Sequence, residues 1–234
     1  MNWVFRNCSV AGFLVAANAL SAERPAQPHI TVWVYNYAGI DGEALARAKE
    51  EAGRILVQAG IEAGWVDCPR MASEVDRYPG CVGLPEFLGL VLRLRPGAAP
   101  KTLVGRSSVF GYALLPEGGG FGTYADVYAG GADLLANGSE SLNGVMLGHL
   151  MAHELGHLLL GTPDHAAAGI MGCPWGRPET ERAAQGRLLF NRGEAKRMRA
   201  NLAARLRRHQ EADRPAGSGE VSVAREVRVV PSSR

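Results

Sequence analysis

Residues 153–157 read H-E-L-G-H, and no other stretch constrains this chain so tightly. Leu150, Met151 and Ala152 precede it, and three leucines follow at 158–160. Two imidazoles and a carboxylate thus stand inside an apolar run, where polar groups are costly unless bonded to something. The surrounding pattern is helical. Ser139 is a suitable N-cap, and Leu142, Val145, Met146, Leu150, Met151, Leu155, Leu158 and Leu159 fall on the face to be buried. Gly161 is a suitable stop. On such a helix residues i and i+4 share a face, so His153 and His157 aim at one point.

That geometry suits a metal ion. Zinc accepts imidazole nitrogen at about 2.0–2.1 Å, and catalytic zinc usually takes three protein ligands. His165 is the best third ligand, because Gly161 permits a chain reversal that returns residue 165 toward the helix. Asp164 and Glu181 compete for that role. Glu154 follows the first ligand directly and is placed to act as general base on a metal-activated water. His149, one turn earlier, is read as a core residue or a support for the ligands. Cys173 is read as a small buried residue.

Other elements follow from periodicity. Residues 29–37 alternate β-branched and aromatic side chains and predict a first strand. Asp41 caps a helix to about residue 59, with Leu45, Ala48, Ala52, Ile55 and Leu56 at helical spacing. Residues 61–66 predict a second strand. Residues 87–94 predict a third, apolar enough to be central. Strands at 107–115 and 124–129 flank a glycine-rich loop that lacks phosphate-binding spacing. A last helix is expected over 179–208, interrupted at 191–193. The order predicts an α/β (α+β) fold: a mixed twisted sheet packed on a long active-site helix, with a C-terminal helix.

Arg6 is the only charge before Glu23, an apolar run covers 10–20, and Ala17, Ala19, Ser21 and Ala22 offer cleavage points. That order is a signal peptide's, so the expected division is signal 1–22, catalytic domain 23–210 and loose tail 211–234. The protein is then secreted or periplasmic. Cys8 leaves with the signal, and Cys68 and Cys81 bracket a proline-containing loop suited to a disulfide. No later segment is apolar enough to promise stable membrane insertion, and a net charge of +2 gives no reason to expect nucleic acid.

From His153 onward the chain resembles the metzincin clan of zinc peptidases, whose pattern is H-E-x-x-H-x-x-G-x-x-H followed by a methionine turn. His153, Glu154, His157, Gly161, His165 and Met171 occur in that order, with the glycine one residue later and the third histidine two later than in the pattern. The resemblance implies a secreted zinc metalloendopeptidase acting on peptides or proteins, with Met171 as an apolar floor under the metal. It also implies a sheet-edge strand along the substrate cleft, for which Tyr124, Asp126 and Tyr128 are the candidates. No pro-segment carrying a metal-blocking cysteine is evident, so an inhibitor protein is a candidate partner. The alternatives are a zinc-binding module without turnover and a zinc amidase acting on a non-peptide amide.

Overall fold

The computed structural model describes residues 27–82, 88–99, 110–117 and 120–212. The expected signal segment lies outside them, as do parts of the expected third and fourth strands and all but the start of the tail. Among the described residues five strands form one sheet: β1 (His29–Asn36), β2 (Glu62–Cys68), β3 (Gly89–Arg95), β4 (Gly111–Leu114) and β5 (Tyr124–Tyr128). Their order across the sheet is β2-β1-β3-β5-β4. The first four in that order are parallel, and β4 runs antiparallel to β5. Among the described residues five α-helices accompany the sheet: α1 (Gly42–Gln58), α2 (Ala129–Ala136), α3 (Glu140–Leu160), α4 (Arg177–Ala184) and α5 (Arg192–Ala212).

The alternation of side chains along each strand sets the core. Ile30, Val32 and Val34 of β1, Leu90, Leu92 and Leu94 of β3, and Ala125 and Val127 of β5 face one way. They meet Ala48, Ala52, Ile55 and Leu56 of α1 and Met146, Leu147, Met151 and Leu155 of α3. The opposite face carries a smaller cluster of Trp33 and Val91 against Cys68 and Cys81, which are joined by a disulfide. Asp41 caps α1 by accepting from the backbone N–H groups of Glu43 and Ala44 at 3.0 and 2.9 Å.

Two expectations about this frame need correction. The strand with Tyr124, Asp126 and Tyr128 is not an edge, because β4 returns antiparallel along its outer side. The edge beside the motif helix is therefore β4. The interruption of the terminal helix falls earlier than 191–193: α4 ends at Ala184 and α5 starts at Arg192, with Glu194 and Asn191 bonding reciprocally at the start of the second. Helix α2 is an element the periodicity did not announce. Gly130 and Gly131 lower its propensity, and the Phe110 ring lies where a side chain on Gly131 would project.

Helices α1 and α3 approach closely at Gly148, where an added Cβ would lie 2.7 Å from the Ala48 carbonyl oxygen and 2.8 Å from Glu51 Cβ. Gly148→Ala should force the helices apart and destabilise the protein by about 1–3 kcal/mol. Gly42→Ala, with open space around it, should be neutral or slightly stabilising. Denaturant midpoints of the two variants compare them directly.

Candidate metal centre

Helix α3 carries the motif through the core. His153, Glu154 and His157 are all buried, with Glu154 only 4% exposed. Outside the helix, two backbone carbonyls orient the imidazoles. His153 Nδ1 donates to the Ile170 carbonyl at 2.7 Å, and His157 Nδ1 donates to the Thr162 carbonyl at 2.9 Å. A carbonyl can only accept, so each Nδ1 holds the ring's proton. The two Nε2 atoms, left with lone pairs, face one another at 3.2 Å. Tetrahedral zinc with bonds of about 2.0–2.1 Å separates two nitrogens by roughly 3.3 Å.

The third imidazole arrives by the chain reversal after α3. Gly161 takes the left-handed conformation at φ 67° and closes the helix by donating to the His157 carbonyl at 2.9 Å. Thr162 then supplies the carbonyl that holds His157. The loop brings the His165 ring to 5.4 Å from that of His153 and 4.9 Å from that of His157. One ligand atom from each of His153, His157 and His165 lies within 4.8 Å of the others, a group able to hold a metal ion. His165 is exposed on the cleft side. Asp164 instead receives the Thr162 hydroxyl at 2.8 Å, and Glu181 is paired with Arg177 at 2.8 Å. Neither belongs to the histidine group.

The methionine after the loop is buried under the helix. A Cβ on Gly156 would lie 2.6 Å from Met171 Sδ, so the helix rests on the sulfur through bare backbone. The Met171 carbonyl accepts from Ala166 N–H at 2.8 Å, which closes the loop that carries His165. Ile170, the residue that orients His153, is pinned through its own N–H to the Leu189 carbonyl at 3.1 Å.

Burial controls the protonation of the site. It pushes the His153 imidazole down to about 3, with His157 adding to the shift. His157 is lowered for the same first reason. Glu154 is pushed up to about 8, chiefly by burial and secondarily by the Asp126 carboxylate. Its Oε2 is buried without a hydrogen-bond partner. Glu154 also lies hard against β4, where a Cβ on Gly111 would come within 2.7 Å of Oε1.

A cleft of about 280 Å³ opens over these groups. Gly111, Tyr112 and Ala113 of the edge strand form one wall, and Cys173, Pro174 and Trp175 form another. Trp175 stands edge-on to His153 at 5.6 Å. Cys173 is an exposed free thiol on this wall rather than a buried filler, because the chain turns outward after Met171. His149 is fully buried behind the site. Its Nδ1 donates to the Val145 carbonyl at 2.9 Å, and its Nε2 lies 3.5 Å from Glu51. Tyr124 and Tyr128 do not line the cleft, and Asp126 is buried beneath it. Arg93 Nε donates to Asp126 Oδ1 at 2.5 Å and the Tyr112 hydroxyl donates to Oδ2 at 2.6 Å. Complementary charges in two apolar strands, an arginine in G-L-V-L-R-L-R and an aspartate in Y-A-D-V-Y, were the signal for this pair.

No protein-family model matches this sequence, and no curated protein sequence matches it. The chain is similar in structure to a zinc-dependent peptidase from Methanocorpusculum labreanum (strain Z). Identity is 16%, 71% of this chain and 99% of that one are covered, and the TM-score is 0.50. It is also similar to an archaemetzincin from Methanopyrus kandleri, at 18% identity, 77% and 99% coverage and a TM-score of 0.49. At these identities the likeness shows the fold: a mostly parallel five-stranded α/β sheet with its helices.

The raised Glu154 has a stability consequence in metal-free protein. Its folded pKa exceeds the unfolded one, so the native state holds the extra proton between about 4.5 and 8. That contribution is present below pH 4.5 and is lost as pH rises through 8. Glu154→Gln, which cannot ionise, should therefore raise the melting temperature of metal-free protein at pH 8. It should do little at pH 4. Paired melts at the two pH values measure the difference.

Proposed function

We propose that this chain is an exported zinc-dependent peptidase, with His153, His157 and His165 holding the metal and Glu154 acting as general base. The observation that carries the reading is the pair of Nε2 lone pairs facing at 3.2 Å, each ring fixed by a carbonyl on its other nitrogen. Two buried lone pairs so aimed repel unless a cation lies between them. Three neutral imidazoles are a zinc donor set, and the supporting carbonyls are the usual partners of ligating histidines. The likeness in fold to a protein described as a zinc-dependent peptidase supports the same reading.

Zinc in such a site supplies Lewis acidity, making a water acidic and polarising a scissile carbonyl. Glu154 takes the proton of the attacking water and returns it to the leaving amine. Its unpartnered Oε2 gives it a free oxygen for that task. Among the described residues β4 is the outermost strand on this side of the sheet, and an extended peptide pairing along it would pass beside Glu154 at Gly111. Tyr112 is held in that wall by its bond to Asp126. Export is supported by the Cys68–Cys81 disulfide, since such bonds persist in oxidising compartments. Among the described residues no helix is long and apolar enough to cross a membrane.

Metal analysis and turnover of a mixed peptide library test the reading together. Wild type should bind one zinc per chain and cleave. Glu154→Gln should keep the zinc and lose roughly 10²–10⁴-fold in kcat. His165→Ala should lose zinc affinity. Equal turnover by wild type and Glu154→Gln would remove the peptidase assignment.

A further inference from the structure

Hydrogen bonds from two carbonyls hold His153 and His157, but the glutamate between them is held differently. Its Oε2 is buried without a hydrogen-bond partner. Its carboxyl forms no ion pair among the described residues. What meets it is strand β4. A Cβ on Gly111 would lie 2.7 Å from Glu154 Oε1 and 2.8 Å from its Cδ, closer than real Cβ atoms approach other atoms. The carboxyl therefore rests on bare backbone.

Backbone conformation does not explain this glycine. Gly111 is not among the glycines of positive φ, so its φ is open to any residue. Glycine inside a strand weakens it and marks a place where another group comes close. The inward positions nearby are small as well. Strand β3 presents Leu90, Leu92 and Leu94 to the core, whereas β4 presents Gly111 and Ala113, with Ala125 beside them on β5. Small residues let α3 settle near β4, and Glu154 fills the space left at 111.

We propose that Gly111 is a positioning residue: by carrying no side chain, it seats the Glu154 carboxyl at a fixed distance from a peptide paired along β4. The inference rests on the peptidase reading. A peptide on that strand lies one strand spacing away, about 4.8 Å. The base must stand within about 2.6–3.2 Å of the group whose proton it takes. A methyl at 111 would displace Oε1 by roughly 0.7 Å, the difference between 2.7 Å and an ordinary contact of 3.4 Å. Misplacements near 1 Å cost up to roughly a hundredfold in rate.

Gly111→Ala in the full chain should lower kcat by roughly ten- to a hundredfold. KM and bound zinc should stay near the wild-type values. The same methyl would also lie 2.5 Å from the Asp126 carbonyl oxygen, which strains the strand pair by itself. A stability cycle separates the two contacts. In a Glu154→Ala background the Asp126 contact remains and the carboxyl contact is gone. Gly111→Ala should therefore lower the denaturant midpoint less in that background than in wild type. An equal drop in both, or failure to fold in both, would overturn the proposal. So would a raised KM with kcat unchanged, loss of zinc from Gly111→Ala, or turnover equal to wild type. The midpoints need no turnover, so failure of the contact is told apart from failure of the peptidase assignment, which is a wild type that cleaves nothing.

Discussion

The facing Nε2 atoms of His153 and His157 are the interaction on which the site rests. Their 3.2 Å separation is set less by the helix than by what lies outside it. A helical i, i+4 pair can turn its rings in several ways. Here each ring has only one, because the Ile170 and Thr162 carbonyls claim the opposite nitrogens. A shared proton between the rings would relieve the lone-pair repulsion, but burial opposes a charged imidazole and pushes His153 down to about 3. The arrangement is thus poised for a cation with more than a proton's charge.

The need to hold those two carbonyls explains the crowding around α3. Thr162 is available only because Gly161 turns the chain back at once. Ile170 is available only because the next turn is tied to Leu189 on one side and filled by Met171 on the other. The helix could not settle onto that sulfur with a side chain at residue 156. Gly156, the third residue between the two histidines, therefore helps to set how the two imidazoles are held.

Much of this was legible in the sequence because it is local. The i, i+4 spacing, the stop at Gly161 and the strand alternation at 29–37 all act over a few residues. The apolar run in β3 marked a central strand, since a strand covered on both edges and packed on its faces has little room for charge. Spatial order was not legible. Nothing in residues 124–129 says that the preceding strand folds back outside them, so the edge was assigned one strand too far inward. Helix α2 was hidden by a glycine pair whose cause is a distant phenyl ring. Cys173 misled because small and sulfur-bearing usually means buried, whereas the turn after Met171 directs it into the cleft.

Glu154 completes the argument about charge. Without a metal, every titratable group on this turn of helix is driven toward neutrality: the imidazoles downward, the carboxyl upward. Desolvation is the first cause in each case, and the Asp126 charge adds less to Glu154 because Arg93 and Tyr112 already engage it. A dication among the imidazoles reverses the balance at Glu154, since an opposite charge nearby favours the carboxylate. The carboxylate in turn offsets part of the cost of holding that dication in a dry site. The carboxylate and a dication would then each make the other's charged state tolerable.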